Sequence, residues 1–239
     1  MKVKDQTPAP TCATCFSREQ SVFRNLESGQ LEQMTYAKSC STFKKGQALF
    51  TEGQHPTGVF CIHKGKLKLF KLGSSGKEQI IRFAKEGDMI GYRSLLSGEL
   101  FSATAEAMEE AQICFIPKDT LFQMLQVNPK LSFEMMKLAC HELGEASKVI
   151  TNLAQKPVRE RLAEILLILK HTFGEDKEGF IDVSLTREEI SNMTGTATES
   201  AIRLLSEFKA DELILLDGKR IKILNAKKLA KIGMVEEEV

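Results

Sequence analysis

The stretch LTREEISNMTGTATESAIRLLSEF, residues 185–208, decides the fold of the C-terminal third of the chain. Thr186 followed by Glu189 is a T-x-x-E capping box, so a helix opens there. Gly195 falls where a tight turn needs a residue free to take positive φ. Thr196 and Glu199 repeat the box and open a second helix. Ala201, Leu204, Leu205 and Phe208 follow at i, i+3, i+4 and i+7, which is one buried face. Thr198, Glu199, Ile202, Arg203 and Ser206 lie opposite. Two short helices about a Gly turn, with a Glu and an Arg on the free face, predict a helix-turn-helix that reads DNA. The same pattern fits an ordinary helix pair, in which Glu199 caps its helix and pairs with Arg203 at i+4.

The residues just downstream weigh on that choice. Leu213–Leu216 and Arg220–Leu224 are β-rich runs flanking Asp217-Gly218, a strong hairpin signal. A helix-turn-helix followed by a small hairpin is a winged helix-turn-helix. Lys219, Arg220 and Lys222 give the wing positive charge suited to phosphates, although a charged hairpin tip is also common without any partner.

Working towards the N-terminus, Asn128-Pro129 opens a helical run that continues to Gln155, before Lys156-Pro157. Met136, Ala139, Leu143, Ala146, Ile150 and Leu153 alternate by three and four, a heptad seam that predicts a dimer helix. A helix packed on its own β-domain would also carry an apolar stripe. After Pro157, VRERLAEILLILKHTF forms another amphipathic helix. Residues 21–127 change period. Glycines recur at short intervals between strand-like runs: Gly58–His63, Lys66–Leu72, Gln79–Ala84 and Gln112–Ile116. Gly73-Ser74-Ser75-Gly76 reads as a hairpin loop. Such a region is a β-sandwich or β-roll. The expected fold class is α+β: a polar segment at 1–20, a sensory β-roll at 21–127, a dimerisation helix at 128–156 and a winged helix-turn-helix at 157–239.

Composition narrows the function. With 239 residues, 42% of them hydrophobic, the chain can bury a sizeable core. A net charge of +1 means that DNA binding must come from local clustering. The N-terminus MKVKDQTPAP has no apolar core of a signal peptide and no apolar run reaches membrane-span length, so a cytoplasmic protein is expected. The six cysteines are then expected as free thiols, redox groups or metal ligands rather than a disulfide framework. No nucleophile–base pair, phosphate loop or telling carboxylate pair is present, and His55, His63, His141 and His171 lack metal-site spacing, so no enzyme is expected.

The order β-roll, long helix, winged helix-turn-helix resembles the CRP/FNR family of bacterial transcription regulators over nearly the whole chain. The resemblance is carried by FKKGQALF (43–50), Glu52-Gly53, Gly65–Lys68, FAKEGDMIG (83–91), VRERLA (158–163) and Thr198–Leu205. It implies a homodimer on palindromic double-stranded DNA, with RNA polymerase as a further partner. Glu199 and Arg203 match the family's base-reading Glu and Arg, which suit cytosine N4 and guanine O6/N7. Ile202 stands where the oxygen-sensing branch has Ser, and Thr198 where cAMP receptors often have Arg. The expected DNA set is Thr196, Thr198, Glu199, Ile202, Arg203, Ser206, Lys219 and Lys222. The alternative is a ligand- or redox-sensing β-roll module acting on a protein partner.

The resemblance also places the signal. The family's cAMP pocket uses Gly-Glu and Arg-Ser; here those positions are Gly91-Tyr92 and Phe101-Ser102, with Arg93 and Arg82 as the nearby cations. An unpaired phosphate in an apolar roll is costly, which argues against cAMP. Cys12-x-x-Cys15 and Cys114, just before Ile116-Pro117, resemble the oxygen-sensing branch, whose cluster is held by N-terminal cysteines and one in this strand. Four thiolates are the usual set for a [4Fe–4S] cluster. The chain departs from that set: Ser21 stands at the remaining N-terminal position, with Cys40 or Cys61 left to complete a different site. A lone Cys-x-x-Cys also suits zinc or redox chemistry.

Overall fold

The computed structural model describes residues 11–235, so the polar stretch Met1–Pro10 lies outside the described residues. A short 3₁₀ turn (Phe16–Gln20) and helix α1 (Ser28–Ala37) precede strands β1 (Ser39–Phe43), β2 (Ala48–Phe50), β3 (Gly58–Lys64), β4 (Leu67–Leu72), β5 (Glu78–Ala84) and β6 (Met89–Ile90). Helix α2 (Tyr92–Ser97), strands β7 (Thr104–Ala107) and β8 (Ala111–Pro117) and helix α3 (Lys118–Val127) complete the N-terminal part. Then come α4 (Pro129–Gln155), α5 (Val158–Phe173), α6 (Arg187–Thr194), α7 (Thr198–Ala210), β9 (Ile214–Asp217), β10 (Arg220–Ile223) and α8 (Ala226–Gly233).

Two four-stranded sheets form the sandwich, in the orders β1-β8-β3-β6 and β2-β7-β4-β5. Their apolar residues fill two clusters. One joins Ile62, Leu67, Ile90, Ala105 and Ile113 between the strands. The other joins Val59, Tyr92 and Ile116 to Leu31, Leu121, Met124, Leu131 and Met135 of α1, α3 and the start of α4. Gly65 is required by this packing: it takes φ 100°, and a Cβ there would lie 2.8 Å from Ala111. The strand runs read from the sequence are present with ends within a residue.

The chain divides into two compact units, residues up to Lys71 with Ile81–Leu143, and Leu72–Ile80 with the chain from Gly144 onward. The second unit is built on α5, whose Leu162, Ala163, Leu166 and Leu169 are buried at helical spacing. Burying each such Leu contributes about 1.5–3 kcal/mol. The α8 helix closes the unit, with the Asn225 side chain accepting from the Lys228 amide as its cap.

Candidate functional site

Helix α6 opens as its sequence requires: Thr186 Oγ1 accepts from the Glu189 amide at 3.1 Å, and the Glu189 carboxylate accepts from the Thr186 amide at 2.8 Å. It ends at Gly195, with φ 65° and ψ 48°, where a Cβ would stand 3.0 Å from Leu153 Cδ2. The second capping box does not form. The Thr196 amide is spent on Ser191 O at 3.1 Å, closing the turn, and α7 starts two residues later with Ala197 as an N-cap lacking a side-chain bond. Thr198 links the two helices instead, its Oγ1 lying 3.1 Å from Ser191 Oγ.

On α7, Ala201, Leu204, Leu205 and Phe208 are buried as expected. Glu199 and Ser206 are exposed, Ile202 is 45% exposed, and the Arg203 side chain is 72% exposed. Arg203 pairs with Glu207 at 3.7 Å, one turn on, and not with Glu199. Two residues to which the sequence assigned no role hold this helix pair in place. Arg161 donates to Thr194 O (2.9 Å) and Lys156 O (2.6 Å), pinning the Gly turn to α5. Arg159 bridges Glu207 (3.4 Å) and Asp211 (3.0 Å), with its guanidinium 5.2 Å over the Phe208 ring. The signal for both was Arg159 and Arg161, spaced two apart in the first turn of the helix that follows Pro157.

The wing is the antiparallel pair β9–β10, turning at Gly218 with φ 56°. Arg187 of α6 donates to Gly218 O at 3.0 Å. The three wing cations are not equivalent. Lys219 is exposed at the tip. Arg220 is committed to Asp176 (2.8 Å) and Glu178 (2.9 Å) and stacks 4.0 Å over Phe180. Lys222 donates to Glu178 O at 2.8 Å. The Arg220 guanidinium holds the Asp176 carboxyl below its usual range, with burial opposing.

On α4, Met136 (57% exposed), Leu143 (69%) and Ile150 (68%) leave an apolar stripe on the surface, joined by exposed Ala146 and Leu153. Ala139 differs: it is half-buried against the N-terminal core, because the first turns of α4 pack there through Leu131, Met135 and Leu138.

Gly91, Tyr92, Arg93, Phe101 and Ser102 do gather in one cavity, of about 100 Å³, with Arg82 and Glu142. Its lining groups are already engaged with one another. Phe50 and Phe101 stack with centroids 3.9 Å apart. Arg93 donates to Ser102 Oγ, and Arg82 is ion-paired with Glu142. The Tyr92 hydroxyl is buried without a hydrogen-bond partner, and burial first, then the Glu142 charge, raises its pKa.

The cysteines correct one expectation. Cys40 and Cys114 lie directly opposite on β1 and β8, with Cα atoms 4.1 Å apart, and are joined as a disulfide rather than being free. The antiparallel register is the reason: it sets the two side chains on the same face as nearest neighbours. Cys12, Cys15, Cys61 and Cys140 are free thiols. Cys12, Cys15, Cys61 and Cys114 line one pocket of about 50 Å³ together with Lys38 and His63. Cys15 Sγ lies 3.3 Å from His63 Nδ1, and Lys38 Nζ lies 3.8 Å from Cys114 Sγ. Burial, reinforced by the Cys12 charge, pushes the Cys61 thiol up to about 12, with Lys38 acting the other way. Among the described residues, no three His, Cys, Asp or Glu side chains stand closed around a metal position. Ser21 is spent on a turn, donating to Arg18 O at 2.7 Å and accepting from the Phe23 amide at 3.1 Å.

Comparison with known proteins agrees with this anatomy. Residues 40–128 match the cyclic nucleotide-binding domain and residues 160–232 the Crp-like helix-turn-helix domain. The fumarate and nitrate reduction regulatory protein of Vibrio cholerae is 32% identical over 216 residues, covering 89% of this chain and 84% of that protein. The transcriptional activator protein Anr of Pseudomonas protegens is 32% identical over 199 residues, covering 81% and 80%. The structure of FixK2 from Bradyrhizobium japonicum, 22% identical, superposes with a TM-score of 0.74 over 82% of this chain and 96% of that one. Among the described residues, no helix is long and apolar enough to cross a membrane.

Proposed function

We propose, for a chain that belongs to the CRP/FNR family of transcription regulators, that α7 reads a two-fold symmetric operator through Glu199, Ile202 and Arg203. The chain is a DNA-binding regulator of that family, acting as a dimer, and not an enzyme. Thr196, Thr198 and Ser206 border the reading face, and Lys219 and Lys222 meet flanking phosphates. One observation carries the reading: Arg203 stands largely exposed and loosely paired on the outward face of α7, beside exposed Glu199 and Ile202. An Arg there can bond guanine O6 and N7, the Glu can accept from cytosine N4, and the Ile can touch a thymine methyl. Two protomers then present two such helices to half-sites about 34–36 Å apart.

The α4 stripe of Met136, Ala139, Leu143, Ala146, Ile150 and Leu153 forms the dimer seam in this reading, between a sensory domain at 21–127 and a reading domain at 157–239. The protein works in the cytoplasm, with RNA polymerase as its protein partner at promoters; the Pseudomonas relative, named a transcriptional activator, supports this. The signal is redox and enters through the cysteine pocket. Cys12, Cys15 and Cys114 are among the ligands of an iron–sulfur cluster, a group that confers sensitivity to oxidation when bound. The donors suit that group in kind: the free thiols of Cys12, Cys15 and Cys61 and the sulfur of Cys114 line the pocket, with Lys38 beside Cys114 to offset negative charge. Cyclic AMP fits less well, since Arg82 and Arg93 are engaged with Glu142 and Ser102.

The test is selection of binding sites from a randomised duplex pool by the full-length protein, purified anaerobically. A palindrome with a G·C pair in each half-site is expected. Enrichment of no symmetric sequence would overturn the reading.

A further inference from the structure

Cys114 stands between two other cysteines. The register places it opposite Cys40 of β1 on one side and opposite Cys61 of β3 on the other. Residues directly opposite in an antiparallel pair share a face, with Cβ atoms about 4.5–5.5 Å apart, so both neighbouring sulfurs are within reach of Cys114. Only one of them belongs to the thiol pocket. Cys61 lines it with Cys12, Cys15 and Cys114, whereas Cys40 is not among its lining residues.

We propose that Cys114 has two mutually exclusive partnerships: with Cys12, Cys15 and Cys61 as the fourth thiolate of one iron–sulfur site, and with Cys40 in a disulfide when that site is empty. This rests on the redox reading above and names its ligands. Cys61 thereby takes the part for which Ser21 is unsuited, because the Ser21 hydroxyl is committed to its own turn. Four thiolates in one pocket carry a concentrated negative charge, and Lys38 and Arg18, which also line it, offset that charge.

The disulfide is the competing state. The Cys40 and Cys114 thiols give up two protons and two electrons, one S–S bond forms, and a low-molecular-weight disulfide takes them up and leaves as two thiols. Cys114 is then no longer a ligand, and supplying iron alone does not rebuild the site. A thiol reductant must first open the bond. The exchange therefore works as a latch: oxidation after loss of the metal keeps the protein in its empty form.

The experiment uses the full-length protein, reduced and reconstituted anaerobically with ferrous iron and sulfide. Iron and sulfide content, the absorption spectrum and alkylation of each cysteine by mass spectrometry are read. In the loaded wild type, Cys12, Cys15, Cys61 and Cys114 should resist alkylation, while Cys40 and Cys140 react. Cys61→Ala and Cys61→Ser should lose the cluster while keeping the wild-type circular dichroism spectrum, and Cys40→Ser should retain it. Treating the empty protein with oxidised glutathione should yield a linked Cys40–Cys114 peptide and block reloading until dithiothreitol is added. The loaded protein should yield little of that peptide.

Reactive Cys61 in the loaded wild type, full iron in Cys61→Ala, or equal linkage with and without metal would each overturn the proposal. A wild type that takes up no iron or sulfide would overturn the redox reading itself. A loaded wild type indifferent to Cys61 would overturn only the ligand assignment.

Discussion

Replacing Arg203 by Ala separates reading from folding. The side chain is 72% exposed and its ion pair with Glu207, at i+4, is 3.7 Å long. An exposed pair of that kind contributes about 0.3–0.5 kcal/mol, so the variant should melt and dimerise as the wild type does. Its effect on the operator is larger. A bidentate Arg–guanine pair discriminates by about 1–3 kcal/mol, and a dimer makes two, for a loss of about 2–6 kcal/mol. At about 1.4 kcal/mol per tenfold, operator affinity should fall roughly 30-fold to 10⁴-fold. Affinity for scrambled duplex should change little. The assay is fluorescence anisotropy on labelled operator and scrambled duplexes at one salt concentration, beside thermal melts and sedimentation. Changing the G·C pair should weaken the wild type and leave the variant indifferent. An unchanged operator-to-scrambled ratio would refute the assignment, and an equal loss on both duplexes would make Arg203 a phosphate-binding residue.

Lys219→Ala should flatten the plot of log affinity against log salt by about 0.9 for each phosphate that the lysine neutralises, with operator preference intact. A slope equal to that of the wild type would remove Lys219 from the interface. Lys222→Ala should do less, because its ammonium is already held by Glu178 O. Ile150→Glu should turn the dimer into monomers in sedimentation equilibrium, since Ile150 is 68% exposed on each chain and a charge there is buried only in the dimer; a persistent dimer would exclude it from the seam. Arg220 depresses the Asp176 pKa, so this pair's stabilisation is complete above the unfolded value of about 3.9 and is lost as pH falls through the lower folded value. Asp176→Asn should therefore be less stable than the wild type at neutral pH, with the gap in urea unfolding closing in acid. A gap independent of pH would show that the pair is not its source.

Much of the C-terminal architecture was legible because local rules act over short distances there. Thr186 and Glu189 cap within one turn, Gly195 takes the left-handed conformation, and Asp217-Gly218 closes a hairpin between strands four residues long. The cap expected at Thr196 is a case where two local rules compete. The amide needed for a fresh helix start had already been used to end the previous one. The short strands β1, β2, β6 and β7 were not legible, being two to five residues long and too short to show a period, and helices α1 and α3 are held by the core they cover.

What the sequence determined by itself is the order of parts, the buried and free faces of α7, and the apolar stripe of α4, because helical and strand periodicities are properties of neighbours in the chain. What only the tertiary structure decided is which distant groups meet. The register within the β1-β8-β3-β6 sheet sets Cys114 between Cys40 and Cys61, residues separated by 74 and 53 positions in sequence. The fold of the second unit brings Arg220 onto Asp176 and Arg161 onto the Gly turn, leaving Lys219 and Arg203 outward. Spacing along the chain carries no information on such meetings, because strand pairing and packing are selected by the burial of the whole core.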